Sequence, residues 1–154
     1  MKKNLIPTRT YKKIVELMPV CTVDLVIFNK YFNKILLFKR NNAPAKDLYY
    51  TAGGRLHKNE TLEKCAIRQA KEELGLNIKK RDMAYGGVVE EIFNNSYFSE
   101  DIGTHNINFY FSTILDENKA IKLDDQHTES KWFSINDKKI HKWIKERILF
   151  TLTK

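Results

Sequence analysis

At 154 residues, of which 42% are hydrophobic, the chain is long enough for one domain with a real core. Its formal charge of +8 admits an anionic substrate, but the excess lies in surface pairs such as Lys12-Lys13, Lys79-Lys80 and Lys138-Lys139, and no basic stripe with interleaved aromatics marks a nucleic-acid reader. No apolar run approaches the roughly 18 residues of a membrane span, Met1 to Pro7 lacks a secretory apolar core, and Cys21 and Cys65 have no metal-ligand spacing, so a cytoplasmic protein with two buried, reduced thiols is expected.

In chain order, Thr8 to Leu17 reads as a short helix stopped by Pro19. Cys21 to Asn29 reads as a strand in which Val23, Leu25 and Ile27 alternate with further apolar residues, which predicts burial on both faces. A turn at Asn29 to Asn33 and a strand from Lys34 to Arg40 complete a hairpin. After a loop with Asn41, Asn42 and Pro44, Tyr49 to Thr51 forms a short strand leading into Gly53-Gly54. Thr61 to Leu74 reads as a helix, with Leu62, Cys65, Ala66 and Leu74 near helical spacing and Gly75 in the C-terminal capping position. Tyr85 to Phe93, His105 to Leu115 and Lys131 to Ile135 are the remaining strands, and Asp137 to Leu149, carrying Ile140, Trp143, Ile144 and Ile148, is the last helix. Strands interleaved with helices predict an α/β fold, a mixed sheet between helices, in one domain over 1–154.

The stretch from Gly54 to Leu76 carries the chemistry. Arg68 and Glu72 are four apart and share a helical face, as do Gln69 and Glu73 one step round. The Gly53-Gly54 turn lets backbone carbonyls approach a ligand closely. A carbonyl beside a carboxylate makes an oxygen-rich site for a hard cation such as Mg²⁺, which in turn suits a diphosphate. A surface helix decorated with charges is the plain alternative for these residues taken singly.

The spacing of Gly54, Glu60, Arg68, Glu72, Glu73, Gly75 and Leu76 resembles the Nudix box, G-x5-E-x7-R-E-U-x-E-E-x-G-U, with U a bulky aliphatic residue. Gln69 replaces the first Glu of the helical part, and Ala70 is smaller than the usual U residue. The resemblance implies a Nudix-type α/β/α sandwich and a Mg²⁺- or Mn²⁺-dependent hydrolase. Losing one carboxylate to Gln69 weakens any second metal site, which leaves a one-metal enzyme or a catalytically weakened binding module.

Further stretches are similar to the GDP-mannose mannosyl hydrolase branch of that superfamily: Thr22-Val23-Asp24, Lys39 to Ala45, Gly53 to Leu76, Thr104-His105, Asp124 to His127, and Trp132. That branch also lacks the first helical Glu, and it breaks the bond between sugar carbon and phosphate oxygen with inversion. The resemblance implies that Gly53, Glu73 and Gln126 hold the metal and that His127 is the general base on the face opposite the leaving group. An imidazole titrating near neutral pH suits that work, although a lone His in a polar loop is more often an ordinary surface residue. Arg40 is implied on the leaving diphosphate and Asp24 near the sugar; Asp24 alone would pass for an ordinary hydrogen-bonded acid. Arg55 and Arg68 are implied around the substrate, with a helix salt bridge to Glu72 an equal alternative for Arg68. His105 is a substrate contact or a packed strand residue. Residues 1–19 are implied to contact the nucleotide or a second subunit of a homodimer, with Tyr11 stacking on the base and Leu5 and Ile6 as a short apolar pair; Tyr11 packing its helix on the sheet is the alternative.

The pattern departs at Asn106, where the relatives have a tyrosine, at Glu91, where they have a histidine, and at Thr51-Ala52, where Val-Pro is usual. Glu72 and Glu91 keep a conventional pyrophosphohydrolase open, one that cleaves a P–O bond to give a nucleoside monophosphate and a sugar phosphate. The expected substrate is a nucleoside diphosphate sugar such as GDP-mannose.

Overall fold

The structure, a computed structural model, describes residues 6–154, so Leu5 lies outside the described residues. Helix α1 spans Thr8–Leu17. Strand β1, Val20–Phe28, and strand β2, Lys34–Arg40, form the expected hairpin. They pair with each other only near the turn, at Ile27 opposite Leu36 and Phe28 opposite Ile35. Beyond that they part. The outer half of β1 takes β4, Ala52–Arg55, antiparallel, while β2 takes β3, Tyr49–Tyr50, and β7, His127–Ser134.

The other side of β1 pairs in parallel with β6, Thr104–Ile114, which pairs antiparallel with the edge strand β5, Met83–Phe93. One parallel pairing among antiparallel ones makes the sheet mixed, as expected. Helix α2, Leu62–Leu74, packs on β1 and β4, and helix α3, Lys142–Leu152, packs on β5.

Two cores flank the sheet, which explains the apolar run of β1. Val23, Leu25 and Ile27 face α2 with Ala66, Ala70 and Leu74, whereas Val26 and Phe28 face α3 with Ile144 and Ile148. Pleat alternation places Asp24 on the α3 side with Val26. The result is the α/β/α sandwich expected from the sequence.

The main differences from the expectations are two boundaries and the burial of one cysteine. β7 begins at His127, so His127 opens a strand instead of sitting in a polar loop. α3 begins at Lys142, with the His141 side chain accepting the Trp143 amide at its N-terminus. Cys65 is buried as expected, but Cys21 is exposed, because its side chain leaves β1 near the strand's solvent end. Among the described residues no helix is long and apolar enough to cross a membrane.

Candidate active site

Where β1 and β2 part, a cleft of about 940 Å³ opens between the α2 end of β4 and the α3-facing side of the sheet. Asp24, Arg40, Gly53, Arg55, Glu73, Gln126 and Tyr11 all line it. Gly53 lies opposite Asp24 in the β1–β4 pairing, and a Cβ there would collide with the Asp24 carboxylate and backbone; at Gly54 it would collide with the Gln69 amide. Side-chain-free backbone is therefore what lets β4 lie between Asp24 and α2.

Helix α2 is fixed at both ends. Thr61 caps its N-terminus by accepting from the Lys64 amide, and Gly75 closes the C-terminus at φ 66°. Its core face carries Cys65, Ala66, Ala70 and Leu74, and its neighbouring row carries buried Gln69 and Glu73. Glu73 accepts from the Gly53 amide at 3.0 Å and forms no ion pair among the described residues. Burial, with Asp124 and Asp24 nearby, pushes its carboxyl up to about 8. The Gln69 amide, oriented by its neighbours, donates to Glu73 at 2.8 Å and accepts from Arg68 at 3.0 Å. An amide at this position thus joins the two flanking charges where a carboxylate would repel Glu73.

Arg68 turns away from the cleft. Its guanidinium binds Glu60 at 2.7 and 2.9 Å, the Arg55 carbonyl at 3.1 Å and Glu72 at 3.4 Å. The fork holds the Glu60 carboxyl down at about 2. These contacts make Arg68 a clamp tying the loop before α2 to the helix.

Arg40, by contrast, lines the cleft, its guanidinium held by the Pro44 carbonyl at 2.9 Å and Asn42 at 3.2 Å. Arg55 lies over the Tyr11 ring, 5.1 Å from its centre, and Tyr11 meets Phe98 edge-on at 5.7 Å. Tyr11 thus lines the cleft while packing on Phe98 of the loop between β5 and β6. Ile6 is half-buried and is not part of the cleft lining.

Two expected contacts are displaced. His105 pairs with Glu90 at 2.7 Å and lies on a shallow hollow beside α1, outside the cleft. The pleat of β6 explains this, since Asn106 and Asn108 alternate with His105 and point into the cleft. His127 sits next to lining Gln126, but its own side chain is only 1% exposed and does not line the cleft. A bulge in the β2–β7 pairing at Lys39/Arg40 offsets the alternation by one residue and turns the ring edge-on to Phe38 at 5.7 Å. Nδ1 bonds Asp124 at 2.8 Å, and Nε2 is buried with no partner. Burial outweighs Asp124 and lowers the imidazole pKa.

The least exposed part of the cleft lining is a polar cluster that the sequence reading missed. Arg147 of α3, wholly buried, ion-pairs with Glu91 and bonds Asn108 at 2.7 Å, Tyr50 at 3.4 Å and Asp24 at 3.5 Å. Tyr50 donates to Glu91 at 2.5 Å, and Thr51 donates to Asp24 at 2.5 Å. Burial lifts Asp24 to about 6, against the pull of Arg147. The available signal was a charge at position 147 on the apolar face of Ile140, Ile144 and Ile148. His57, Asn42 and Tyr97 also line the cleft without having been singled out.

The chain is 31% identical over 147 residues to the low-salt glycan biosynthesis protein Agl8 of Haloferax volcanii, covering 96% of this chain and 90% of that protein. It is 34% identical over 137 residues to an ADP-ribose pyrophosphatase of Methanocaldococcus jannaschii, covering 88% of this chain and 74% of the relative. Its fold matches a MutT NUDIX hydrolase from Burkholderia pseudomallei with a TM-score of 0.69 at 20% identity, over 86% of this chain and 97% of the other. A helix with the box residues at fixed spacing beside a cleft, in a sandwich of this topology, accords with the NUDIX domain model that matches residues 18–151, and the chain belongs to the Nudix family.

Proposed function

We propose that the protein hydrolyses a nucleoside diphosphate sugar, with GDP-mannose as the first candidate, by inverting attack of water at the anomeric carbon. One observation carries this reading. The cleft joins a site with a single buried carboxylate, Glu73, to a deep end of hydroxyl-binding groups: Asp24, Glu91, Asn106 and Asn108. The first suits a diphosphate bridged by a cation, and the second suits a sugar.

The donor set fits Mg²⁺. Glu73 has no ion pair among the described residues and is pushed toward its neutral form by burial and then by two neighbouring carboxylates, which is the electrostatic setting a divalent cation relieves. Glu73, the Gly53 carbonyl and Gln126 would hold it, all oxygen donors on one cleft. When bound, the ion supplies Lewis-acid stabilisation to the departing diphosphate.

Arg40 and Arg55 line the same cleft and neutralise the anion released as the carbon–oxygen bond breaks. Asp24 accepts sugar hydroxyls or faces the positive charge developing on the ring. His127 takes the proton from the attacking water. Its tie from Nδ1 to Asp124 leaves the Nε2 lone pair free, the tautomer a base requires. Because the ring is covered, this role requires Nε2 to become open to the cleft during substrate binding while Asp124 keeps its hold on Nδ1. The glycan biosynthesis relative supports a sugar-bearing substrate.

A conventional pyrophosphohydrolase is the second reading, favoured by exposed Glu72 on the cleft and by the ADP-ribose pyrophosphatase relative. Glu91 serves it less well as a base, since Arg147 ion-pairs with its Oε1, which also accepts from Tyr50. A non-catalytic nucleotide-binding module, the reading Gln69 raised, would bind nucleotide sugars without turnover. Hydrolysis in ¹⁸O-water separates the three. Label in the sugar supports carbon–oxygen cleavage, label in phosphate establishes the second reading, and binding without product establishes the third.

A further inference from the structure

We infer that the deep end of the cleft is an anion-excluding sugar pocket, in which Glu91 sets specificity for a neutral or amino-bearing hexose and Arg147 is the positioning residue that holds it. The inference rests on the nucleotide-sugar reading above and narrows it.

The cluster contains two carboxylates, Asp24 and Glu91, against one guanidinium, Arg147, which leaves negative charge in excess. Glu73 and Cys65, further titratable groups near Asp24, carry no positive charge, and His141, whose ring lies 5.5 Å from that of Tyr50, has its pKa lowered by burial and adds no cation at neutral pH. Arg147 approaches from α3, behind the lining, and is itself wholly buried. A ligand therefore meets Asp24 and Glu91 but does not meet the cation that balances them.

Glu91 is polarised within that arrangement. Its Oε1 accepts from Tyr50 and from Arg147, while Oε2 has, among the described residues, only the Asn106 amide at 3.4 Å. Oε2 keeps acceptor capacity for a hydroxyl or ammonium donor. A carboxylate on C6 of a sugar, or a terminal phosphate, would put like charge against it in a partly desolvated site. A neutral hexose donates hydroxyls to the same atom. Arg147 acts through Glu91: its pairing fixes which oxygen faces the cleft.

The test compares GDP-mannose with GDP-mannuronate, which differ only at C6. Turnover is read with Mg²⁺, and binding is read by calorimetric titration with Ca²⁺ in its place. The expected kcat/KM and affinity ratios favour the neutral sugar by about 5- to 10³-fold, the range a like charge about 4 Å away produces at effective dielectric constants of about 80 to 20. In Glu91→Gln the ratio falls toward one, with the change carried mainly by KM. Arg147→Met raises KM for GDP-mannose more than it lowers kcat, and Arg147→Lys restores most of the loss. Should Arg147→Met fail to fold, Glu91→Gln and Arg147→Lys carry the comparison.

Equal handling of the two sugars by the native protein, or an unchanged ratio in Glu91→Gln, overturns the inference. An unchanged KM in a folded Arg147→Met protein overturns the positioning role. If neither sugar is hydrolysed but the binding ratio holds, the functional reading fails and the pocket stands. Turnover of both at equal rates has the opposite meaning.

Discussion

His127→Phe separates the catalytic role of this residue from its packing role. Phenylalanine has a ring of similar size and would keep the contact with Phe38. It loses the bond from Nδ1 to Asp124, a loss of about 1.5–3 kcal/mol for a hydrogen bond to a charged group. It also removes the unpaired, buried Nε2, which returns about 1–3 kcal/mol. Asp124 is partly exposed and still accepts the Gln126 amide at 3.1 Å, so it is not stranded. The opposing contributions nearly cancel, and urea unfolding should find the variant within about 2 kcal/mol of the native protein. Turnover should fall by roughly 10²–10⁴-fold if Nε2 is the general base. Near-native turnover would remove His127 from the mechanism. A loss of stability beyond about 3 kcal/mol with proportionate activity would make it a packing residue.

Three further substitutions probe the metal site and the helix clamp. Glu73→Gln should abolish the rise in melting temperature that Mg²⁺ gives the native protein, worth about 2.7 kcal/mol at a hundredfold excess over Kd; an unchanged Mg²⁺ titration would take Glu73 out of the site. Gln69→Glu replaces an amide donor to Glu73 with like charge, so the metal-free protein should lose about 1–4 kcal/mol while half-saturation by Mg²⁺ falls roughly tenfold. Loss of stability without tighter metal binding would refute the reading of residue 69 as a set point for metal affinity. Glu60→Gln should cost about 1–3 kcal/mol at neutral pH by weakening the Arg68 clamp. Because Glu60 titrates near 2 when folded and about 4.3 when unfolded, the clamp stabilises fully above the higher value and is lost as pH falls toward 2. Native and variant stabilities should therefore converge across that window, and a pH-independent difference would contradict the ion-pair account.

Helix α2 was legible because its chemistry and its periodicity coincide. Thr61, Glu73 and Gly75 stand at positions that capping and helical spacing dictate, and the structure places Glu73 beside Gly53. β7 is longer than its apolar pattern predicts because Thr128, Glu129 and Ser130 carry no apolar alternation; Glu129 and Ser130 are strand by pairing with β2, not by burial, and Thr128 is the bulged residue beside them. The same bulged pairing hid the fate of His127, since its local sequence reads as a polar loop. His105 shows how far the facing of a strand decides which side chains meet the cleft. The strand was placed correctly to within a residue, but facing follows the pleat, and Asn106 and Asn108 take the cleft side. Arg147 escaped because its partners, Asp24, Tyr50, Glu91 and Asn108, come from four separate strands. Only the tertiary fold brings them to α3.

The central claim is carbon–oxygen cleavage of a nucleotide sugar, and a product assay with GDP-mannose and Mg²⁺ tests it most directly. Resolving nucleoside diphosphates from monophosphates should give GDP and free mannose in equal amounts. GMP with mannose 1-phosphate would contradict it, and would move the catalytic assignment from His127 to Glu72.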